Sequence, residues 1–131
     1  MNTTTSIILT GAFVVAISII FLGQSKNISS QEKIQSVQNV EVRDGVQYIT
    51  IRARGGYSPR VSVAQAGIPT KLVVQTNGTY DCSLALVIRS IGYQKILSQT
   101  GEEIIDLSVP EEGTLRGFCS MGMYNFSINF Q

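Results

Sequence analysis

The sequence predicts an all-β sandwich or barrel preceded by one N-terminal transmembrane helix. Three observations carry this reading: an uncharged apolar run near the amino terminus, a change to period-two alternation after it, and turn signals roughly every 8 to 12 residues. The chain has 131 residues, with ten Lys and Arg, nine Asp and Glu, and no histidine. That length accommodates one domain behind a leader.

Thr5 to Gly23 reads TSIILTGAFVVAISIIFLG and carries no charge. At about 1.5 Å per residue, a helix of this length is roughly 28 Å long, enough to cross a bilayer core. Its apolar residues follow no one-sided period, as expected where every face meets lipid. A cleaved signal peptide is the alternative. No Lys or Arg precedes the run, however, and the following FLGQSKN lacks a small-x-small cleavage site, which favours an uncleaved anchor. Residues 1–23 are therefore read as a transmembrane anchor, 24–34 as a polar, serine-rich tether and 35–131 as the folded body. Lys26 and Lys33, taken literally, would hold the body in the cytoplasm. They are few and separated by Glu32, and most single N-terminal anchors export the domain behind them. The expected location is the cell membrane, with the body on the extracytoplasmic side.

The body reads as strands in order. Val37, Val40 and Val42 lead to Asp44-Gly45, a hairpin signal. Val46 to Arg54 alternates apolar and polar residues and ends at Gly55-Gly56-Tyr57-Ser58-Pro59. Arg60 to Ala64 is a short strand, Gln65 to Pro69 a turn, and Thr70 to Thr76 a strand stopped by Asn77-Gly78. Leu84 to Ile88 suits a buried strand or a helical turn, its β-branched residues favouring the strand. Ile104 to Val109 is halted by Pro110. Thr114 to Cys119 and Tyr124 to Phe130 flank a loop. Seven or eight such strands, with no long amphipathic helix among them, describe an antiparallel sandwich or barrel.

The flanked loop is Cys119-Ser120-Met121-Gly122-Met123-Tyr124. One thiol and two thioethers at alternating positions form a soft donor set, which selects soft ions, Cu(I) above all. Gly122 frees the backbone to bend so that they converge. The same residues would also serve as core filler, since Met and free Cys are commonly buried. The absence of histidine removes Ser-His and Cys-His nucleophile pairs and every zinc or copper site built on imidazole. Glu102, Glu103 and Asp106 form no acid–base pair, and Glu111-Glu112 lie in a turn beside Pro110, so no enzyme constellation is present. A net charge of +1 without a basic run offers nothing to track nucleic acid. Cys82 and Cys119 form either a disulfide or a pair of thiolates at a metal. Asp81 suits an Asx-type turn beside Cys82, and Tyr57 and Tyr124 suit core or rim aromatics.

From about Val46 to Phe130 the chain resembles the cupredoxin-like domains found free, membrane-anchored, or attached to copper-transporting P-type ATPases. The resemblance is carried by Gly55-Gly56-Tyr57-Ser58-Pro59, Ala66-Gly67-Ile68-Pro69, Asp81-Cys82-Ser83, Gly113 to Phe118, and Cys119-x-Met121-Gly122-Met123. It implies a cupredoxin-like Greek-key β-sandwich that binds copper in its final loop. Cys119 corresponds to the thiolate ligand, Met123 to the thioether at the loop's end and Cys82 to the upstream ligand, with Met121 as an optional further donor. A copper-transporting membrane protein is the partner this resemblance implies. The chain departs from electron-transfer members, because a blue-copper centre needs two imidazoles. Binding and delivery of Cu(I) is therefore the expected role. A disulfide-stapled binding module without metal, or an electron-transfer subunit, are the alternatives.

Overall fold

Asp44 and Gly45 both have positive φ, 51° and 76°, the geometry of a two-residue type I′ hairpin turn. In the computed structural model, which describes residues 39–131, this turn joins β1 (Val40–Arg43) to β2 (Val46–Ala53). There follow β3 (Tyr57–Ser58), β4 (Val61–Ala64), β5 (Thr70–Thr76), β6 (Ala85–Ile88) and β7 (Tyr93–Ile96). β8 (Gly101–Asp106), β9 (Gly113–Cys119) and β10 (Asn125–Phe130) complete the chain. One sheet has the order β1-β2-β5-β8, with β3 also paired to β2; the other has the order β4-β10-β9-β6-β7. The expected anchor and tether, 1–23 and 24–34, lie outside the described residues. Among the described residues no helix is long and apolar enough to cross a membrane.

Two expectations are corrected. Among the described residues there are ten strands rather than seven or eight, because β3 is only a two-residue return onto β2 and β7 is largely exposed, so neither shows apolar alternation. The sheets are also mixed rather than antiparallel. β5 runs parallel to β2, from Gln47↔Thr70 to Arg52↔Gln75, and β10 runs parallel to β4, from Ser127↔Val61 to Phe130↔Ala64. The chain leaves the first sheet to make β4 in the second, then returns to lay β5 beside β2 in the same direction. Alternation records which face of a strand is buried and says nothing about its direction.

The inward positions are those the alternation selects. Ile49, Ile51 and Ala53 of β2 and Leu72 and Val74 of β5 meet Leu86, Ile88, Leu115, Phe126, Ile128 and Phe130 of the opposing sheet. Each large aliphatic or aromatic side chain so buried contributes roughly 1.5–3 kcal/mol. Gln47 is the largest of the buried polar side chains, and its amide is fully used. Nε2 donates to the Gln65 carbonyl and to Thr70 Oγ1, both at 3.0 Å, and Oε1 accepts from the Gln65 amide at 2.9 Å. A buried amide bonded in this way stitches the loop after β4 to β5 without a desolvation penalty.

At one edge, Glu103 of β8 reaches across to the other sheet. It accepts from Lys95 Nζ at 2.8 Å and from the Tyr93 hydroxyl at 2.9 Å. The Lys95 hydrogen bond is the main reason the Glu103 carboxyl lies below its usual range. The lysine is solvent-exposed, so the ion pair itself adds no more than about 1 kcal/mol.

Gly117 of β9 stands directly opposite Phe126 of β10. A Cβ at 117 would overlap the Phe126 ring. The space that the glycine vacates lets this ring lie across the strand and meet Tyr57 edge-on, with centroids 5.1 Å apart. Gly117→Ala is accordingly expected to destabilise the fold by about 1–3 kcal/mol through overpacking, read as a lower urea midpoint at unchanged slope. An unchanged midpoint would contradict this packing.

Candidate metal centre

Cys119 is the last residue of β9, and the period of two places it with Leu115 and Gly117 on the core face. It is 0% exposed. β6 pairs with β9 through Leu86↔Cys119, and the Ser120 amide donates to the Ala85 carbonyl at 2.8 Å. Ala85 directly follows a 3-10 turn over Cys82–Leu84. The register of β6 on β9 therefore brings Cys82 beside Cys119 although the two are far apart in the chain. Both are free cysteines, close enough that each shifts the other's titration.

The Cys82 turn is held from three directions. Asp81 caps it: Oδ1 accepts from the Ser83 amide at 2.8 Å and from the Ser83 hydroxyl, while Oδ2 accepts from the Gly55 amide at 2.8 Å. The Tyr57 hydroxyl donates to the Ser83 carbonyl at 3.0 Å. Just upstream, the buried Thr79 hydroxyl donates to the Ala53 carbonyl at 2.6 Å. These bonds fasten the turn to the end of β2 and to β3, across the sandwich. The Ser83 hydroxyl, together with the Ser83 and Gly55 amides, holds the Asp81 carboxyl below the ordinary carboxylate range.

The sulfur-rich loop folds back over Cys119. The Gly122 amide donates to the Cys119 carbonyl at 2.8 Å, closing a tight turn. Gly122 itself lies in the left-handed region at φ 73°, which costs a residue with a side chain about 1–2 kcal/mol. The Cys119 amide then donates to the Tyr124 carbonyl at 3.0 Å, and the Tyr124 amide to Cys119 Sγ at 3.4 Å. Burial opposes ionisation of Cys119, but the Cys82 thiol and the amides of Tyr124, Met123 and Met121 outweigh it and hold its pKa below the ordinary thiol value. Donation to Cys119, followed by burial, pushes the Cys82 thiol up. The two thiols therefore titrate as a linked pair, with the backbone amides favouring the anion on the Cys119 side. Burial, reinforced by the charges of Cys119, Cys82 and Asp81, raises the Tyr57 hydroxyl well above its usual value, so it remains a donor to Ser83.

The structure brings Cys82 and Cys119 together and leaves Met121 and Met123 at the rim, 77% and 64% exposed. Neither is core filler. Met121 borders a groove shared with Arg116 and Asn125, whereas Met123 borders a smaller pocket with Gly56, Tyr57 and Arg60. Among the described residues no three His, Cys, Asp or Glu side chains gather as a metal-binding group. A hard cation needs an oxygen-rich cage, and the donors here are sulfur. Two adjacent thiols, one of them with its pKa lowered, suit a soft ion.

Two supporting residues were only partly legible in the sequence. Asp81 forms the expected Asx-type turn, but its second oxygen also bonds Gly55, which no local pattern reveals. Tyr57 is a core aromatic as expected, while its hydroxyl holds the Cys82 turn; a Tyr after Gly-Gly carries no signal of that task.

No protein-family model and no curated protein sequence matches the chain. Its three-dimensional structure is similar to that of the metal-binding domain of the Cu(I)-exporting P-type ATPase CopA from Streptococcus pneumoniae D39, solved with Cu(I). That similarity has a TM-score of 0.62 at 24% identity and covers 70% of this chain and 92% of that one. It is also similar to a copper-binding protein solved by NMR in its apo form, with a TM-score of 0.64 at 21% identity, covering 72% of this chain and 96% of that one. The all-β sandwich is therefore the fold of these copper-binding domains, in keeping with the sequence resemblance.

Asp81→Ala should cost about 1 kcal/mol, the usual value of a lost cap, and should speed alkylation of Cys82 by releasing its turn. The pH dependence has a defined sign. Because the folded carboxyl titrates below its unfolded value of about 3.9, its stabilisation is complete above that value and is lost as pH falls through the folded one. The acid limb of the stability profile should therefore be shallower in Asp81→Ala than in the parent, and parallel limbs would refute the role assigned to this carboxylate.

Proposed function

We propose that this chain is a membrane-tethered copper-binding protein that takes up one Cu(I) ion through Cys82, Cys119 and Met123, with Met121 as a further donor, and hands it to a copper-transporting membrane protein. The observation that carries the proposal is the pair of free thiols held side by side beneath a loop with two exposed thioethers. The fold shared with two copper-binding domains supports copper as the ion.

The residues divide the work by position. The backbone amides around Cys119 stabilise negative charge on its sulfur and so offer a thiolate to an incoming cation. Cys82 yields its proton as the ion arrives, which makes binding proton-linked. The two thioethers stand outside the core, where they meet an ion before the thiols do and remain accessible to a partner's ligands. Thiolate and thioether donors favour Cu(I), and the lack of imidazole removes the ligands that a redox-cycling blue-copper site requires. Binding and transfer are accordingly favoured over electron transfer or catalysis. An anchor at 1–23 would keep the centre beside a membrane partner and raise the effective concentration for exchange.

The test is an anaerobic Cu(I) titration of the reduced 131-residue chain against a competing chelator. Tight one-to-one binding is expected. Cys119→Ser should abolish it, and Met121→Leu should weaken it modestly or leave it unchanged. Full affinity in Cys119→Ser would remove this loop from the site. Failure of the folded, reduced parent to bind would leave a sandwich whose adjacent cysteines serve as a disulfide staple.

A further inference from the structure

The outer face of β9 and β10 holds an open groove of about 840 Å³ beside the sulfur-rich loop. It follows from the strand period. Leu115, Gly117 and Cys119 point into the core, so Thr114, Arg116, Phe118 and Ser120 point outward, next to Asn125, Ser127 and Asn129 of β10. The charged residues lining the groove are Arg89 and Arg116, and no carboxylate lines it. Among the described residues neither arginine takes part in an ion pair. The Arg89 guanidinium lies over the Phe118 ring, 4.8 Å from its centroid. Stacking of this kind restrains the planar fork while leaving its N–H edge free to pair with a carboxylate. The groove runs up to Met121 and Gly122 of the loop.

We propose that this groove is a docking surface for an acidic polypeptide segment, carried by the protein that exchanges metal with the sulfur centre, whose carboxylates pair with Arg89 and Arg116. The identity of that partner rests on the copper reading; the charge it must present does not. A chain of net charge +1 offers no general field to attract anions, so recognition has to be local, and two unpaired forks in one concavity supply it. The neighbouring Asn and Ser side chains provide both donors and acceptors for a peptide backbone. An anionic membrane or a nucleic acid calls for a broader basic surface than two arginines in a groove provide. Docking here would place the partner against Met121, at the rim of the centre.

Amide chemical-shift mapping on the metal-free 131-residue chain, with a hexaglutamate peptide as probe, tests this directly. Shifts are expected at Arg89 and along the outward positions of β9 and β10. They should disappear at on the order of 0.5 M NaCl. The double variant Arg89→Gln/Arg116→Gln should bind the peptide about tenfold more weakly or worse, while its Cu(I) stoichiometry stays that of the parent. Unchanged peptide affinity in the double variant would overturn the proposal. So would shifts spread over all basic residues, or a response to phosphatidylglycerol vesicles and none to the peptide. Because the peptide is read without metal, failure of Cu(I) binding would remove the copper reading and leave this result standing.

Discussion

The hydrogen bond from Tyr57 to the Ser83 carbonyl is the contact on which the centre depends. It joins a residue of the first sheet to the turn that carries Cys82, and it is buried. Its geometry is set further inside, where Tyr57 meets Phe126 edge-on and Phe126 occupies the space above Gly117. A missing side chain on β9 thus determines where an aromatic ring on β10 lies, and that ring determines where a hydroxyl on β3 points. The Cys82 turn is in this way tied to the same strand that ends in Cys119. A buried polar bond of this kind is costly to leave unmade, because the carbonyl would lose water without gaining a partner.

Around that constraint the centre is asymmetric. Cys119 belongs to the core and is surrounded by backbone amides that favour its anion, whereas Cys82 sits on a partly exposed turn. The thioethers lie outside both. Such an arrangement has a buried inner half and an open outer half. The groove with Arg89 and Arg116 begins at the open half, so a docked partner and the exposed thioethers would share one side of the molecule.

How much of the fold is legible in the sequence differs from element to element. Asp44-Gly45 announces its hairpin because two adjacent positive φ angles admit few other pairs of residues. Val46 to Ala53 is legible because a strand with one buried face must alternate, and Thr70 to Thr76 because its apolar centre runs up to an Asn77-Gly78 stop. β7 is not, because most of its residues face solvent and alternation has nothing to record. The parallel pairs of β2 with β5 and β4 with β10 escape the sequence because hydrophobic period is the same in either direction. In the candidate centre, the donor atoms of Cys82, Cys119, Met121 and Met123 can be named from chemistry alone. Which of them meet cannot be, since the loop's path turns on the single bond from Gly122 to Cys119 and on the left-handed conformation of Gly122 itself.

An all-β body, its principal strands and a sulfur-only set of soft donors can be read without any fold in hand. These are properties of local composition and period, and they survive without knowledge of any long-range contact. The absence of histidine likewise ruled out imidazole chemistry in any fold. That Cys82 and Cys119 are neighbours, and that both methionines are exposed, follows from the tertiary structure alone. Those outcomes depend on the register of β6 on β9 and on bonds from Asp81 and Tyr57 that span the sandwich, and register is a relation between distant segments that neither encodes alone.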